Sequence, residues 1–171
     1  LGYALTVEGQ LERAEKQLRR ALQLRPDFPE ALVNLGNVQR LNAHLTAAET
    51  SYRKALGLRP AFPEARNNLA DVLLELGQPR EAESFARKAI EQRPNFVEAH
   101  QTLARALDML GRLEDAVVAH RQAIALNPGL ARSHAALART LMAFGKQADA
   151  ISSYRAALQL APSNAEWRRM L

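Results

Sequence analysis

Residues 63–96 read PEARNNLADVLLELGQPREAESFARKAIEQRPNF, and this stretch decides the fold because variants of it follow one another along the chain. Its proline at position 32 recurs at the same place in every copy. These prolines are Pro26, Pro60, Pro94, Pro128 and Pro162, spaced 34 residues apart. A constant period of this size is typical of stacked supersecondary units rather than of one globular core.

Other positions keep the same period, with leucine at position 7, a small residue at position 8 and alanine at positions 20 and 27. Position 7 holds Leu1, Leu35, Leu69, Leu103 and Leu137; position 8 holds Gly2, Gly36, Ala70, Ala104 and Ala138; position 20 holds Ala14, Ala48, Ala82, Ala116 and Ala150; position 27 holds Ala21, Ala55, Ala89, Ala123 and Ala157. Small residues let helix axes approach at the short end of the usual ~8 to 10 Å. We therefore predict that these positions lie at helix crossings.

Each copy is also punctuated by residues that end helices. Proline at position 32 cannot continue a helix, and glycine at position 15 favours the left-handed backbone just past a helix end. Ala43 replaces this glycine in one copy, so we expect its turn, residues 42–44, to be strained or built differently. The predicted helices cover residues 29–42, 45–58, 63–76, 79–92, 97–110, 113–126, 131–144 and 147–160.

The order of leucine and a small residue, then alanine, an aromatic residue and proline resembles the tetratricopeptide repeat (TPR). That resemblance implies an all-α fold, a right-handed α-solenoid of stacked antiparallel helix pairs. The chain then divides as one array with partial units at both ends. These are a partial repeat at 1–28, full repeats at 29–62, 63–96, 97–130 and 131–164, and the start of a further repeat or a capping helix at 165–171.

The two ends of the chain carry apolar residues at positions where repeats stack. Leu1 and Leu171 both fall on position 7, and the chain begins without methionine. Because stacking faces are normally closed by polar caps, we expect a piece of a longer array or of a larger protein. The alternative expectation is a homo-oligomer, formed by pairing of the exposed ends through Leu1, Leu5, Trp167, Met170 and Leu171.

The net charge of +5 raises the question of a nucleic-acid partner. Eleven of the 23 basic residues fall on the second helices of the repeats, where acidic residues are interleaved with them and aromatic side chains that could stack on bases are not arrayed. We therefore do not expect nucleic-acid binding. No apolar run approaches the ~20 residues that cross a bilayer, so we expect no membrane partner and a cytoplasmic location.

Catalytic and metal-binding patterns are weak. The chain has no cysteine, and its histidines, His44, His100, His120 and His134, lack regularly spaced carboxylates that could complete a metal site. Phosphate-binding loops, nucleophile elbows and His-Glu-x-x-His patterns are absent from the sequence. We predict no catalytic residues, no metal and no cofactor, and thus a protein that is not an enzyme.

In tetratricopeptide proteins the first helix of each pair lines a concave groove. The resemblance therefore implies a peptide-binding surface at positions 2, 5, 6, 9, 12 and 13, where amide side chains can pair with the backbone of an extended ligand. The candidate residues are Asn34, Asn37, Arg40, Asn67, Asn68, Asp71, Gln101, Thr102, Arg105 and Arg139. We expect Arg40, Arg105 and Arg139 to favour acidic segments.

Three phrases, at residues 26–31, 34–37 and 52–56, look like the repeats of O-linked N-acetylglucosamine transferases and their bacterial relatives. The resemblance implies an asparagine ladder at position 6, which Asn34 and Asn68 match and Thr102 and Ala136 do not. It favours a scaffold that binds an extended peptide or protein segment. The alternatives are a self-association element, or the substrate-recruiting arm of a glycosyltransferase or sulfotransferase.

A different specialisation of the family, the carboxylate clamp of chaperone-binding members, needs lysine at position 5. Val33 occupies that position in one repeat. Glu98 likewise stands where the clamp requires lysine in a later repeat. We therefore do not expect recognition of a chaperone's acidic C-terminus.

Overall fold

The structure is a computed structural model that describes residues 10–170. This described part contains ten α-helices. They are α1 (Leu11–Leu24), α2 (Pro29–Leu41), α3 (Leu45–Leu58), α4 (Pro63–Glu75), α5 (Pro79–Gln92), α6 (Val97–Met109), α7 (Leu113–Leu126), α8 (Ala131–Ala143), α9 (Gln147–Leu160) and α10 (Ala165–Arg169). The eight predicted helices, α2 to α9, are confirmed with ends that differ by at most one residue.

The chain divides into two compact units, unit 1 (Leu1–Gln92) and unit 2 (Arg93–Leu171). In unit 1, α2 packs on α1 and α3, and α4 packs on α3 and α5. In unit 2, α6 packs on α7, α8 on α7 and α9, and α10 on α9. Each helix thus packs mainly on its neighbour in sequence.

The predicted crossing positions are buried. Alanine at position 20 is fully buried in every described copy, and so is alanine at position 27 except at Ala21, which is partly exposed. The fully buried alanines at these positions are Ala14, Ala48, Ala82, Ala116, Ala150, Ala55, Ala89, Ala123 and Ala157. Leucines fill the seams beside them; Leu69, for example, is fully buried in unit 1.

The turn within each helix pair has the same backbone in all four full copies. Gly77, Gly111 and Gly145 have φ between 72° and 78°, and Ala43 has φ 59°. Two hydrogen bonds, from Ala43 N to Arg40 O and from His44 N to Gln39 O, close the Ala43 turn as their counterparts close the glycine turns. The expected strain is therefore present as a left-handed alanine, a conformation that costs an L-residue roughly 1 to 2 kcal/mol.

The turns between repeats use a contact that we did not predict. An arginine at position 31 lies over a phenylalanine at position 34, with 4.9 Å from the guanidinium carbon to the ring centroid in each case. The pairs are Arg25–Phe28, Arg59–Phe62 and Arg93–Phe96. Such cation–π contacts favour one geometry of the turn. In the last two copies both partners are replaced, by Asn127 with Leu130 and by Ala161 with Asn164.

Two histidines also hold these turns. His100 Nε2 donates to the carbonyl oxygen of Pro94 at 2.8 Å, and His134 Nε2 donates to that of Pro128 at 3.0 Å. Each histidine therefore ties the first helix of a repeat to the proline that precedes it.

The C-terminal helix α10 packs on the rest of unit 2. Trp167 is partly buried against the core cluster that contains Leu137, Leu141 and Tyr154. The Asn164 side chain accepts a hydrogen bond from the backbone nitrogen of Trp167, so it caps α10. Leu1, Gly2, Leu5 and Leu171, which the predictions also named, lie outside the described residues. Between residues 10 and 170 no helix is both long and apolar enough to span a bilayer.

Basic residues of the second helices form ion pairs with the acidic residues between them. Arg19 binds Glu15 and Arg87 binds Glu83, each one helical turn away. Arg53 pairs with Glu49 on its own helix and with Glu81 on α5. These pairs agree with the interleaving of acidic and basic residues that the sequence shows on these helices.

Ala116→Leu tests the packing at the crossings. We expect a lower free energy of unfolding, by the ~1 to 3 kcal/mol typical of extra methylenes forced into a packed core, because Ala116 is fully buried. The matched control is Ala125→Leu on the exposed side of the same helix, which should change stability by no more than ~0.5 kcal/mol. Equal denaturation midpoints for the two variants would contradict the packing role.

Candidate functional site

A hydrogen-bonded cluster on the first helices of unit 1 contains several of the predicted site residues. Asn37 on α2 is its centre, since its Oδ1 accepts from the Tyr52 hydroxyl at 2.7 Å and from Asn68 Nδ2 at 2.9 Å. Asn68 lies on α4, so this bond joins the first helices of consecutive repeats. The two bonds fix the orientation of the Asn37 amide.

The Tyr52 hydroxyl donates to Asn37 from the interior of the protein. The side chain is fully buried, and burial raises the pKa of its phenol far above the usual value. The hydroxyl therefore stays protonated and donates to Asn37. The ring reaches this place because Gly36 has no side chain: a Cβ at Gly36 would lie 2.6 Å from Tyr52 Cε1.

A charged pair continues the cluster toward the ends of the same helices. Arg40 Nη1 lies 3.1 Å from Glu75 Oε1, and both side chains are 37% exposed. Asn34, Asn37 and Arg40 follow one another at intervals of three residues and so share one face of α2. We call the set Asn34, Asn37, Arg40, Asn68, Asp71 and Glu75 the polar ladder. Because Arg40 is paired with Glu75, part of its charge is neutralised within the protein.

The ladder leaves two polar atoms directed at solvent. Neither Asn37 Nδ2 nor Asn68 Oδ1 has a hydrogen-bond partner among residues 10–170. The buried polar side-chain atoms without a partner in this part of the chain are Asn67 Oδ1 and His120 Nδ1. Asn37 Nδ2 and Asn68 Oδ1 are therefore accessible, one as a donor and the other as an acceptor.

Asn67 is placed differently from its neighbour Asn68. It is only 4% exposed, and its Oδ1 is buried without a partner in the described structure. A buried acceptor without a donor costs about 1 to 3 kcal/mol. Asn67 thus offers a ligand little surface.

The predicted site residues of unit 2 have another chemistry. Gln101 Nε2 donates to Ser133 Oγ at 2.7 Å, and Thr102 is 2% exposed. Arg105 and Arg139 are exposed and occupy position 9, where unit 1 has Asn37 and Asp71. At position 9, the first helices of unit 2 therefore carry positive charge, whereas the first helices of unit 1 carry an amide and a carboxylate.

Sequence reasoning missed a second buried network, which lies in unit 2. Asp108 accepts from Thr140 Oγ1 at 2.8 Å and from His120 Nε2 at 3.1 Å. His120 is almost completely buried. Its bond to Asp108 was not foreseen because the two residues are twelve positions apart. Among residues 10–170 no three potential metal ligands lie close together.

Gly36→Ala tests the dependence of the ladder on close packing. The added methyl displaces the Tyr52 ring, and overpacking of this kind costs ~1 to 3 kcal/mol, against a gain of ~0.5 to 1 kcal/mol from replacing glycine within a helix. We expect a net loss of stability in a denaturant titration. Gly57→Ala on α3, where a Cβ meets nothing within 4 Å, should leave the protein as stable or slightly more stable. A Gly36→Ala variant as stable as Gly57→Ala would show that Tyr52 has room to move.

Comparison with known folds gives close structural matches at low sequence identity. Residues 41 to the end of MamA from Desulfovibrio magneticus superpose with a TM-score of 0.86 at 22% identity, covering 96% of this chain and 93% of that one. YrrB, described as a TPR protein with an unusual peptide-binding site, gives 0.80 at 23% identity, with coverage of 98% and 87%. A thermophilic TPR protein in Thermus thermophilus gives 0.81 at 24%, with coverage of 99% and 93%. At these identities the likeness shows a shared fold.

Family models agree with the structural matches. Two models described as tetratricopeptide repeat match residues 42–106 and 73–119, and residues 101–165, and a model described as TPR repeat matches residues 2–42. The sequence has no significant match among curated proteins. Together the family models cover residues 2–165, so the chain belongs to the tetratricopeptide repeat proteins, and its fold class is the all-α solenoid of helix pairs that the sequence predicts.

Proposed function

We propose that this TPR scaffold binds an extended segment of a partner protein along the polar ladder of unit 1. The observation that carries the proposal is the fixed Asn37 amide. Its oxygen is occupied by Tyr52 and Asn68, so its nitrogen and the Asn68 oxygen are left to face solvent.

A donor and an acceptor presented together suit the peptide backbone. Every residue other than proline carries one N–H and one C=O, and both must be paired when they are removed from water. Asn37 Nδ2 can donate to a ligand carbonyl while Asn68 Oδ1 accepts from a ligand N–H. Since neither contact reads a side chain, the ladder would set the path of a segment rather than its sequence.

The orientation of the amides is established before a ligand arrives. Tyr52 is buried, and its hydroxyl holds Asn37 in place from the protein interior. Ordering a mobile side chain on binding typically costs ~0.5 to 1.5 kcal/mol in entropy. A preorganised site avoids this cost for the side chains that are already held in place.

Two resemblances support the same proposal. One fold relative, YrrB, is described as having a peptide-binding site. The likeness to O-linked N-acetylglucosamine transferase repeats adds Asn34 and Asn68 as backbone-binding residues, with the chain as a recruiting arm of a larger enzyme. Within this proposal the module itself is not catalytic and works in the cytoplasm, and the exposed Arg105 and Arg139 extend recognition to acidic segments in unit 2. Gln101 and Thr102 are the other predicted groove residues of unit 2. Asp71 belongs to the polar ladder of unit 1, and Asn67, which is almost completely buried, contributes little to the proposed surface.

Self-association through the repeat ends has less support. At the C-terminal end, Trp167 packs on the core of its own unit, which leaves less apolar surface for a second copy. Met170 remains 45% exposed, so a contact there would be small.

Asn37→Asp tests the function with little change in shape. The aspartate keeps an acceptor for Tyr52 and Asn68 but replaces the outward N–H donors with a charged oxygen. Peptides selected from a random display library on the wild-type protein should bind this variant about 5- to 150-fold more weakly, because a ligand carbonyl left without a donor costs ~1 to 3 kcal/mol. Titration of fluorescently labelled peptides measures the change.

The control is Asn95→Asp, which makes the same change at an exposed turn of unit 2. It should bind the selected peptides like the wild type, and circular dichroism should give native melting curves for both variants. Undiminished affinity of Asn37→Asp would remove the ladder from the binding surface.

A further inference from the structure

A second surface of unit 1, made mainly by the second helices, contains a groove that the proposed function does not use. This α1–α3 groove lies between α1 and α3 over α2 and has a volume of about 870 Å³. Its apolar lining consists mainly of Leu22, Pro26, Leu32, Leu35 and Leu58. None of the residues of the polar ladder lines it.

The floor of the groove contains a buried polar residue where the fold uses leucine. Gln39 occupies position 11 of its repeat and is 3% exposed. Position 11 of the other full repeats holds Leu73, Leu107 and Leu141, which are almost completely buried. The fold alone therefore does not require a polar residue at this position.

One half of the Gln39 amide is satisfied within the protein. Ser51 Oγ, itself buried, donates to Gln39 Oε1 at 2.6 Å. The other half, Nε2, has no acceptor among the described residues and is not sealed from solvent. Because Gln39 lines the groove, the structure presents there a fixed N–H donor at the base of an apolar cleft.

The charges at the groove have one sign. Of the residues that line it, the charged ones are Arg19 and Lys54. Arg19 pairs with Glu15, whereas Lys54 has no ion-pair partner within residues 10–170. An oxygen acceptor or a carboxylate complements this lining, and a basic segment does not.

The corresponding gap between α3 and α5 is bridged by side chains. Arg53 Nη2 lies 2.8 Å from Glu81 Oε1, and the Arg53 guanidinium lies 5.6 Å from the centroid of the Phe85 ring. Phe85 occupies position 23, where the α1–α3 groove has the small Ser51. In the described part of the chain no such bridge crosses the α1–α3 groove, where Arg19 pairs with Glu15 on its own helix.

We infer that the α1–α3 groove is a second docking site, which takes a short acidic segment of a partner protein with one large apolar side chain. The apolar side chain packs among Leu22, Leu35 and Leu58. A carbonyl or carboxylate oxygen beside it accepts from Gln39 Nε2, and an acidic neighbour lies near Lys54. This site is separate from the polar ladder, so one module can hold two segments at once.

The test uses peptides selected from a random display library on the Asn37→Asp variant, so that the polar ladder does not dominate the selection. The enriched peptides should carry aspartate or glutamate beside leucine, isoleucine or phenylalanine. Measured by fluorescence anisotropy, they should bind the Asn37→Asp variant and the wild type equally.

Gln39→Leu combined with Ser51→Ala removes the donor and its buried partner together, a change that is close to neutral for stability. The double variant should melt at or above the wild-type temperature and bind the enriched peptides at least about fivefold more weakly. Lys54→Glu should weaken binding at low salt and less so at high salt. Its matched control is Lys88→Glu, the same position on α5 outside the groove, which should bind like the wild type.

Three results would overturn the inference. They are a selection that yields no peptide dependent on Gln39, enriched peptides without acidic residues, and equal effects of Lys54→Glu and Lys88→Glu. Each is distinct from failure of the ladder, which is measured with peptides selected on the wild type and does not involve Gln39.

Discussion

The close approach of helices at small residues is the constraint on which the rest of the structure depends. Fully buried alanines occupy position 20 in both units, and at position 8 the backbone of Gly36 lies against the Tyr52 ring with no room for a Cβ. Because the ring packs on α2 itself, its hydroxyl reaches Asn37 on the same helix. A bulkier residue at position 36 would move the ring outward and with it the donor that orients the amide. Packing at the crossing and geometry of the polar ladder therefore have one cause.

Most of the fold could be predicted from the sequence because it depends on local, repeated signals. Proline at position 32 and glycine at position 15 end helices through their own backbone preferences, and these need no knowledge of distant residues. The prediction for Ala43 succeeded for the same reason. All four full repeats share one turn geometry, so the alanine that replaces glycine adopts the same left-handed backbone, with φ 59°. Burial of Ala82, Ala116 and Ala150 likewise follows from period and size alone.

The polar contacts could not be predicted, because their partners lie one helix or one repeat apart. Position and periodicity place Asn37 and Asn68 on first helices. They do not indicate that the Asn37 amide accepts hydrogen bonds from Asn68 and from Tyr52. Neighbours in sequence also separate: Asn67 is buried, while Asn68 is partly exposed. A helical residue moves by about 100° around the axis at each step, so a change of one position is enough to exchange solvent for core. The arginine–phenylalanine contacts of Arg25, Arg59 and Arg93 were visible in the period, yet only their 4.9 Å geometry shows that they act as pairs.

In a repeat protein, the residues at the same position of the other repeats show what packing at that position requires. Leu73, Leu107 and Leu141 show what position 11 needs for packing, and Gln39 departs from it while retaining almost complete burial. Burial of an amide at a leucine position costs stability unless both of its polar atoms are paired, and Ser51 pairs only one of them. The unpaired Nε2 opens into a cleft whose charged lining is cationic, which is why the partner that we infer for it is an oxygen acceptor on an acidic segment. The polar ladder and the α1–α3 groove then differ in kind, because the first combines one donor with one acceptor, which suits the peptide backbone that we propose as its ligand, and the second combines one donor with apolar walls and positive charge.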